Sequence, residues 1–127
     1  MMYEKDIVAY LLRECGGLHP FHISRIVALL DMKYLEEKGK KLTEVDYQKT
    51  PYGFYSNKIP EILNELPVEK VEEEGYKYLK LKDDANFKIE LPKEIEKKIN
   101  ELLDEICELS DEELNKRIIQ SKYYQML

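Results

Sequence analysis

The feature that most constrains this chain is a long helix tied to an aromatic turn. Ile23-Ser-Arg-Ile-Val-Ala-Leu-Leu-Asp31 leads through Tyr34-Leu-Glu-Glu-Lys-Gly39 and Leu42 to Pro51-Tyr-Gly-Phe-Tyr-Ser56. Phe21, Ile23, Ile26, Val27, Leu30 and Tyr34 recur at helical spacing, Pro20 suits the first turn and Gly39 supplies a stop. The polar stretch from Lys40 to Thr50 reads as a loop or a short irregular strand. Pro51-Tyr52-Gly53 then turns the chain, because proline presets φ and glycine permits a positive φ. Such a unit is a scaffold that presents a turn, and it carries no arrangement of catalytic groups.

The flanking patterns complete the architecture. Tyr3, Ile7, Tyr10, Leu11 and Cys15 mark an opening helix that Gly16-Gly17 terminates. Ser56 is placed to cap a helix reaching Leu66, with Ile59, Ile62, Leu63 and Leu66 inward and Pro60 near its start. Val68 to Leu81 reads as a β-hairpin bent at Glu74-Gly75, and the alternation of Phe87, Ile89 and Leu91 suggests a third short strand. Pro92 starts a helix with Ile95, Ile99, Leu102, Leu103 and Ile106 on one face. Ser110-Asp-Glu-Glu113 has the form of a capping box, with Leu109 and Leu114 as its hydrophobic staple. A last helix runs through Leu114, Ile118 and Ile119, and the Tyr123-Tyr124 end has no clear pattern. The expectation is one domain over residues 1–127, α+β and mostly helical, with about five helices packed with a small two- or three-stranded antiparallel sheet.

A chain of 127 residues can build one hydrophobic core but not two. Charged residues make up 36%, dominated by Lys and Glu, and with three Gln and no Trp this skew points to a thermophilic source. The net charge of −6 is unevenly spread. Residues 92–114 carry 3 basic and 9 acidic side chains, whereas residues 115–127 carry 3 basic and none acidic. The acidic run mixes Glu with Lys at helical spacing and reads as a solvated face. The first residues lack the basic-then-apolar build of a signal peptide, and no apolar run reaches membrane-spanning length. A cytoplasmic location is expected, with Cys15 and Cys107 as free, inward-facing thiols.

Several constellations compete with plainer explanations. Cys15, His19 and His22, with Cys107 as a possible fourth, make the only cluster with soft metal ligands, but the spacing matches no zinc site, so neither a metal nor a cofactor is expected. No Ser-His-Asp order, phosphate loop or carboxylate pair supports an enzyme. Asp31, on an apolar helix, requires a partner such as Arg25 or a turn amide. Three helices followed by a hairpin with Lys77, Lys80 and Lys82 would also suit a winged-helix nucleic-acid binder. Against that, the recognition segment would carry Glu61 and Glu65 with only Lys58, and an acidic chain repels phosphate.

The order of these motifs resembles Panacea-domain proteins, the SocA-like antitoxin family that includes phage-associated GepA-like proteins. Ile23-Ser-Arg-Ile-Val-Ala-Leu-Leu-Asp31 stands where that family has its Leu-Gln-Lys-Leu-Leu-Tyr-Phe-Ala-Asp helix, Tyr52-Gly53 at its Tyr-Gly-Pro turn, and Leu109-Ser-Asp-Glu-Glu-Leu114 at its Leu-Ser-x-Glu-Glu-Leu segment. Arg25 replaces the family lysine, Ala28 its tyrosine, Phe54 its proline, and Ile118-Ile119-Gln120 its Thr-His. The resemblance implies a non-enzymatic protein-binding domain, either an antitoxin-like neutraliser of a toxin or an adaptor. Joined to the aromatic turn, it places the partner-binding surface at Tyr52, Gly53, Phe54 and Tyr55, with Arg25 and Asp31 of the adjoining helix. Aromatic turns are common binding anchors, although one or two of these rings could instead plug the core between the second and third helices.

Overall fold

Six consecutive apolar side chains, Ile7 to Leu12, are buried on helix α1 (Glu4–Cys15), more than a one-sided amphipathic helix can hide. The computed structural model, which describes residues 3–50, 53–83, 86–106 and 108–127, shows why. Helix α1 has α3 (Lys58–Asn64) on one side and the hairpin of β3 (Val68–Glu73) and β4 (Tyr76–Leu81) on another. Helix α2 (Pro20–Lys38) packs against α3, α4 (Lys93–Ile106) and α5 (Asp111–Gln120). The two opening helices are therefore the centre of a mostly helical α+β fold. Tyr10 on α1 donates its hydroxyl to Asn100 Oδ1 on α4 at 2.7 Å.

The sheet component differs in detail from the expected one. Strands β3 and β4 pair antiparallel from Val68↔Leu81 to Glu73↔Tyr76. Their two-residue bend has positive φ at both Glu74 and Gly75, the handedness that matches strand twist. A second antiparallel pair joins β1 (Gln48–Thr50) to β2 (Gly53–Tyr55), where a loop or short irregular strand followed by a turn was expected. Three-residue strands are too short for a period-two pattern to register. Phe87, Ile89 and Leu91 form no strand. They are half-buried against the core between exposed neighbours, so their alternation reports one-sided burial rather than a hydrogen-bonded ladder.

What lies beside β4 instead is Leu18. Its N–H donates to Leu79 O at 2.8 Å and its carbonyl accepts from Leu79 N–H at 2.9 Å. Gly17 makes that approach possible. It has φ 126°, and a Cβ there would lie 2.4 Å from the Tyr78 ring and 3.1 Å from the Leu79 carbonyl. The Gly16-Gly17 pair thus does two jobs, helix termination at Gly16 and close backbone approach at Gly17.

The remaining local expectations are met in part: α3 ends at Asn64 rather than Leu66, and its N-cap is Asn57 rather than Ser56. Ser56 Oγ accepts from Lys58 N–H at 3.2 Å at the start of α3, and Pro60 falls in that helix's first turn. Ser110 Oγ accepts from Glu113 N–H at 3.1 Å, and Glu113 reaches back to Ser110 N–H, so the box is formed. Leu114 is fully buried, while Leu109 packs on the core from its edge. Cys15 departs from its expected inward place. It is exposed, because the last turn of α1, from Arg13 to Cys15, runs past the elements that cover Ile7–Leu12.

The acid-rich face of α4 is not merely solvated. Lys38–Glu94 at 2.9 Å, Lys98–Glu37 at 2.7 Å and Lys33–Glu105 at 3.1 Å bind it to α2. The hydrogen bond and charge of Lys38 hold the Glu94 carboxyl below its usual range. Such exposed pairs fix helix orientation more than they add stability.

Candidate functional site

The segment that brings the chain from α2 to the aromatic turn is held down by one carboxylate. Asp31 is 0% exposed. Its Oδ1 accepts from Thr43 N–H at 2.8 Å, and its Oδ2 accepts from the hydroxyls of Thr43 and Tyr47, each at 2.7 Å. Thr43 Oγ1 also accepts from Val45 N–H at 3.2 Å, and Lys41 donates to the Val45 carbonyl. On the α1 side, the buried carboxylate of Glu4 accepts from Glu44 N–H at 2.9 Å. A buried anion is tolerated only when its lone pairs are filled, and here a loop is folded to fill them.

Burial nevertheless pushes the Asp31 carboxyl above its ordinary range, against the hydrogen bonds from Thr43 and Tyr47 and the charge of Lys41. Burial, and then the Asp31 charge, push the Tyr47 phenol well above its own. Of the two partners expected for Asp31, the turn amide is the one used. Arg25 lies six residues earlier, well round the helix. It is half-buried, and its Nε has no hydrogen-bond partner among the described residues. Asp31, placed inside, cannot touch a partner and bears on the surface only through the loop it anchors.

The β1–β2 hairpin divides its side chains between two faces. Lys49 and Phe54, partners across the strands, turn toward the C-terminal segment. Phe54 meets the Tyr47 ring edge-on at 5.5 Å and the Tyr124 ring at 6.1 Å. Tyr124, buried in a closing 3-10 turn (Tyr124–Met126), donates its hydroxyl to Gly53 O at 3.0 Å. Lys49 Nζ donates to Gln125 O at 3.1 Å and lies 5.5 Å over the Tyr124 ring. Gly53 itself is buried, and a Cβ on it would come within 3.1 Å of the Asn115 amide.

The opposite face carries Gln48 and its cross-strand partner Tyr55, which is 46% exposed. The expected turn residues thus separate: Gly53 is inside, Phe54 is a half-buried spacer, Tyr55 is presented outward, and Tyr52 lies outside the described residues. The plug is made against the C-terminal turn rather than between the second and third helices. Sequence reading missed Tyr47 and Tyr124. A buried aromatic in the polar tail was the available signal for the second, in the pair Tyr123-Tyr124 after Ser121-Lys122.

The two histidines, expected as unrelated residues at a helix entrance, take separate roles. His19 Nδ1 accepts from Phe21 N–H at 3.2 Å and caps α2. His22 Nδ1 stands 2.6 Å from Asp111 Oδ1 and links α2 to α5. A cleft of about 570 Å³ opens beside it, lined among others by Glu14, Cys15, His22, Asn100 and Asp104. Cys107 lies outside the described residues, and among those described no group of three His, Cys, Asp or Glu side chains is placed to hold a metal ion. On the hairpin that would serve as a wing, Lys80 is engaged by Glu69 at 3.4 Å and Asp83 at 3.6 Å. No described helix is long and apolar enough to cross a membrane.

No known family model, curated protein or solved structure matches the chain.

Proposed function

We propose that this chain acts by binding another protein, without catalysis, and that Tyr55 is the exposed anchor of its binding surface. The supporting observation is the two-sided hairpin. Tyr55 stands outward on β2 while Phe54, Gly53 and Lys49 fasten the same hairpin to Tyr124 and Gln125. An aromatic side chain on a fixed backbone loses little entropy on binding, which is how a hot spot gains affinity. The Asp31 clamp fixes the approach of the chain to this hairpin and is a positioning device. The motif order shared with Panacea-domain proteins favours a neutraliser of a toxin, or an adaptor, as the class.

Capture from an extract of the source organism tests the reading when it is done with and without nuclease. The expected result is a nuclease-resistant protein partner whose affinity falls at least about tenfold on Tyr55→Ala, the 1.4 kcal/mol or more of a binding anchor, with an unchanged melting temperature. Recovery of nucleic acid alone, with binding that falls steeply with salt, would assign the chain to the regulators instead. Equal capture by wild type and Tyr55→Ala would move the surface elsewhere.

A further inference from the structure

Leu18 does more than close the turn after α1. Its paired hydrogen bonds with Leu79 lay the entrance of α2 along the edge of β4. The antiparallel register of that bridge sets His19, itself extended, opposite Tyr78, which pairs on its other side with Val71. Leu18, Val68, Leu79 and Leu81 pack on the core, so alternation turns His19, Val71, Tyr76 and Tyr78 to the other face. Ring contacts extend the row at both ends. Phe21 stacks on His19 with centroids 5.2 Å apart, and Tyr76 lies 6.2 Å from Tyr78. Phe21 is 58% exposed and Tyr76 61%. A run of rings open to solvent marks a contact surface.

We propose that this aromatic row and the cleft beside it dock a short acidic, proline-containing segment of another protein in extended conformation. The cleft, of about 420 Å³, is lined by His19, Val71 and Tyr78 together with Lys70, Lys77 and Glu72. Two lysines thus stand against one glutamate. Glu72 is opposite Lys77 in the ladder, yet among the described residues none of the three is in an ion pair. Lys80, by contrast, is already engaged by Glu69 and Asp83. The cleft is therefore locally positive in a chain of net charge −6, with its cations uncommitted, and complements an acidic partner.

The rings choose the backbone. A polyproline II segment has no internal hydrogen bonds, so its carbonyls stay free, and its rigid rings lie flat on aromatic side chains at little entropic cost. Donors for those carbonyls are at hand. His19 Nδ1 accepts from Phe21 N–H, so in the neutral ring Nε2 carries the hydrogen and donates. A nucleic-acid strand would also stack on the row, but the same hairpin carries Glu69, Glu73 and Glu74, and Glu73 stands opposite Tyr76. These carboxylates repel a continuous run of phosphates, whereas isolated acidic side chains can be placed between them. The surface lies on a different strand pair from Tyr55 and does not rest on that reading.

The test titrates the nitrogen-15-labelled full chain, followed by its amide signals. The probes are the acetylated, amidated hexapeptide Pro-Pro-Glu-Pro-Pro-Glu, the same peptide with Lys for Glu, the same with Ala for Pro, and hexathymidylate. The first peptide should shift the amides of His19, Lys70, Val71 and Tyr78 saturably, and the other two should bind about tenfold more weakly. Phe21→Ala and Tyr76→Ala, at exposed rings, should each weaken the first peptide about fivefold or more with an unchanged melting temperature. Lys77→Gln should weaken it at low salt and leave it unchanged at high salt. Tyr55→Ala should leave the peptide affinity at its wild-type value. No saturable shift, equal affinity for the alanine peptide, loss on Tyr55→Ala instead, or shifts with hexathymidylate alone would overturn the proposal.

Discussion

Tyr47 donates its hydroxyl to Asp31 across 2.7 Å, a phenol and a carboxylate sixteen residues apart that are both buried. With Thr43 they form a closed polar cluster inside an otherwise apolar helix packing. The cluster matters because the loop it holds delivers the chain to the β1–β2 hairpin.

Removing the anchor should be costly. Asp31→Ala deletes three hydrogen bonds and leaves the Thr43 N–H and the Tyr47 hydroxyl buried and unpaired. The expected loss is about 3 kcal/mol by urea denaturation. A wild-type midpoint and slope would show that the loop is not held this way.

The same residue gives a pH dependence of defined sign. Burial raises the Asp31 carboxyl, so the folded chain holds this proton more tightly than the unfolded chain does. Its contribution to stability is greatest below the unfolded pKa, about 4, and is lost as pH rises through the higher native value. Wild type should lose stability relative to Asp31→Asn as pH is raised from about 4. Denaturation curves of the two proteins taken across that range should diverge, and a constant difference between them would contradict the shift.

Gly16 and Gly17 should respond differently to the same change. Gly16→Ala meets open space and pays only for its left-handed backbone, about 1 kcal/mol. Gly17→Ala must also displace the Tyr78 ring and the Leu79 carbonyl, so a loss of about 2–3 kcal/mol is expected, with faster amide exchange at Leu18 and Leu79. Equal losses for the two variants would mean that the Leu18–Leu79 bridge contributes nothing.

At the other end, Ser110→Ala removes the acceptor for Glu113 N–H and should cost about 1 kcal/mol while the fold is retained. Chemical denaturation decides it. An unchanged midpoint would show that the box adds no net stability in solution.

Helix limits, the hairpin bend and the capping box were legible because each is specified within a few residues. Gly39 stops α2 whatever lies around it, Glu74-Gly75 bends β3 into β4, and Ser110 meets Glu113 one helical turn on. The failures share a different cause. Cys15 has the spacing of an inward residue but lies where α1 outruns its cover, and Phe87 to Leu91 alternate without a strand beside them. Periodicity shows that one side of a segment is to be covered, but it does not identify the cover.

The sequence by itself therefore determined where this chain is helical, where it turns and how those elements are capped, since these depend on backbone sterics and bonds between near neighbours. Tertiary structure alone decided that Asp31 faces Tyr47, that Tyr124 seals Gly53, that Leu18 pairs with Leu79 and that His22 meets Asp111. Each of these contacts joins residues from 16 to 89 positions apart. Their partners are chosen by which packing of α1 and α2 buries the most apolar surface while leaving no buried polar group unmatched, a condition on the whole molecule that no local window of sequence contains.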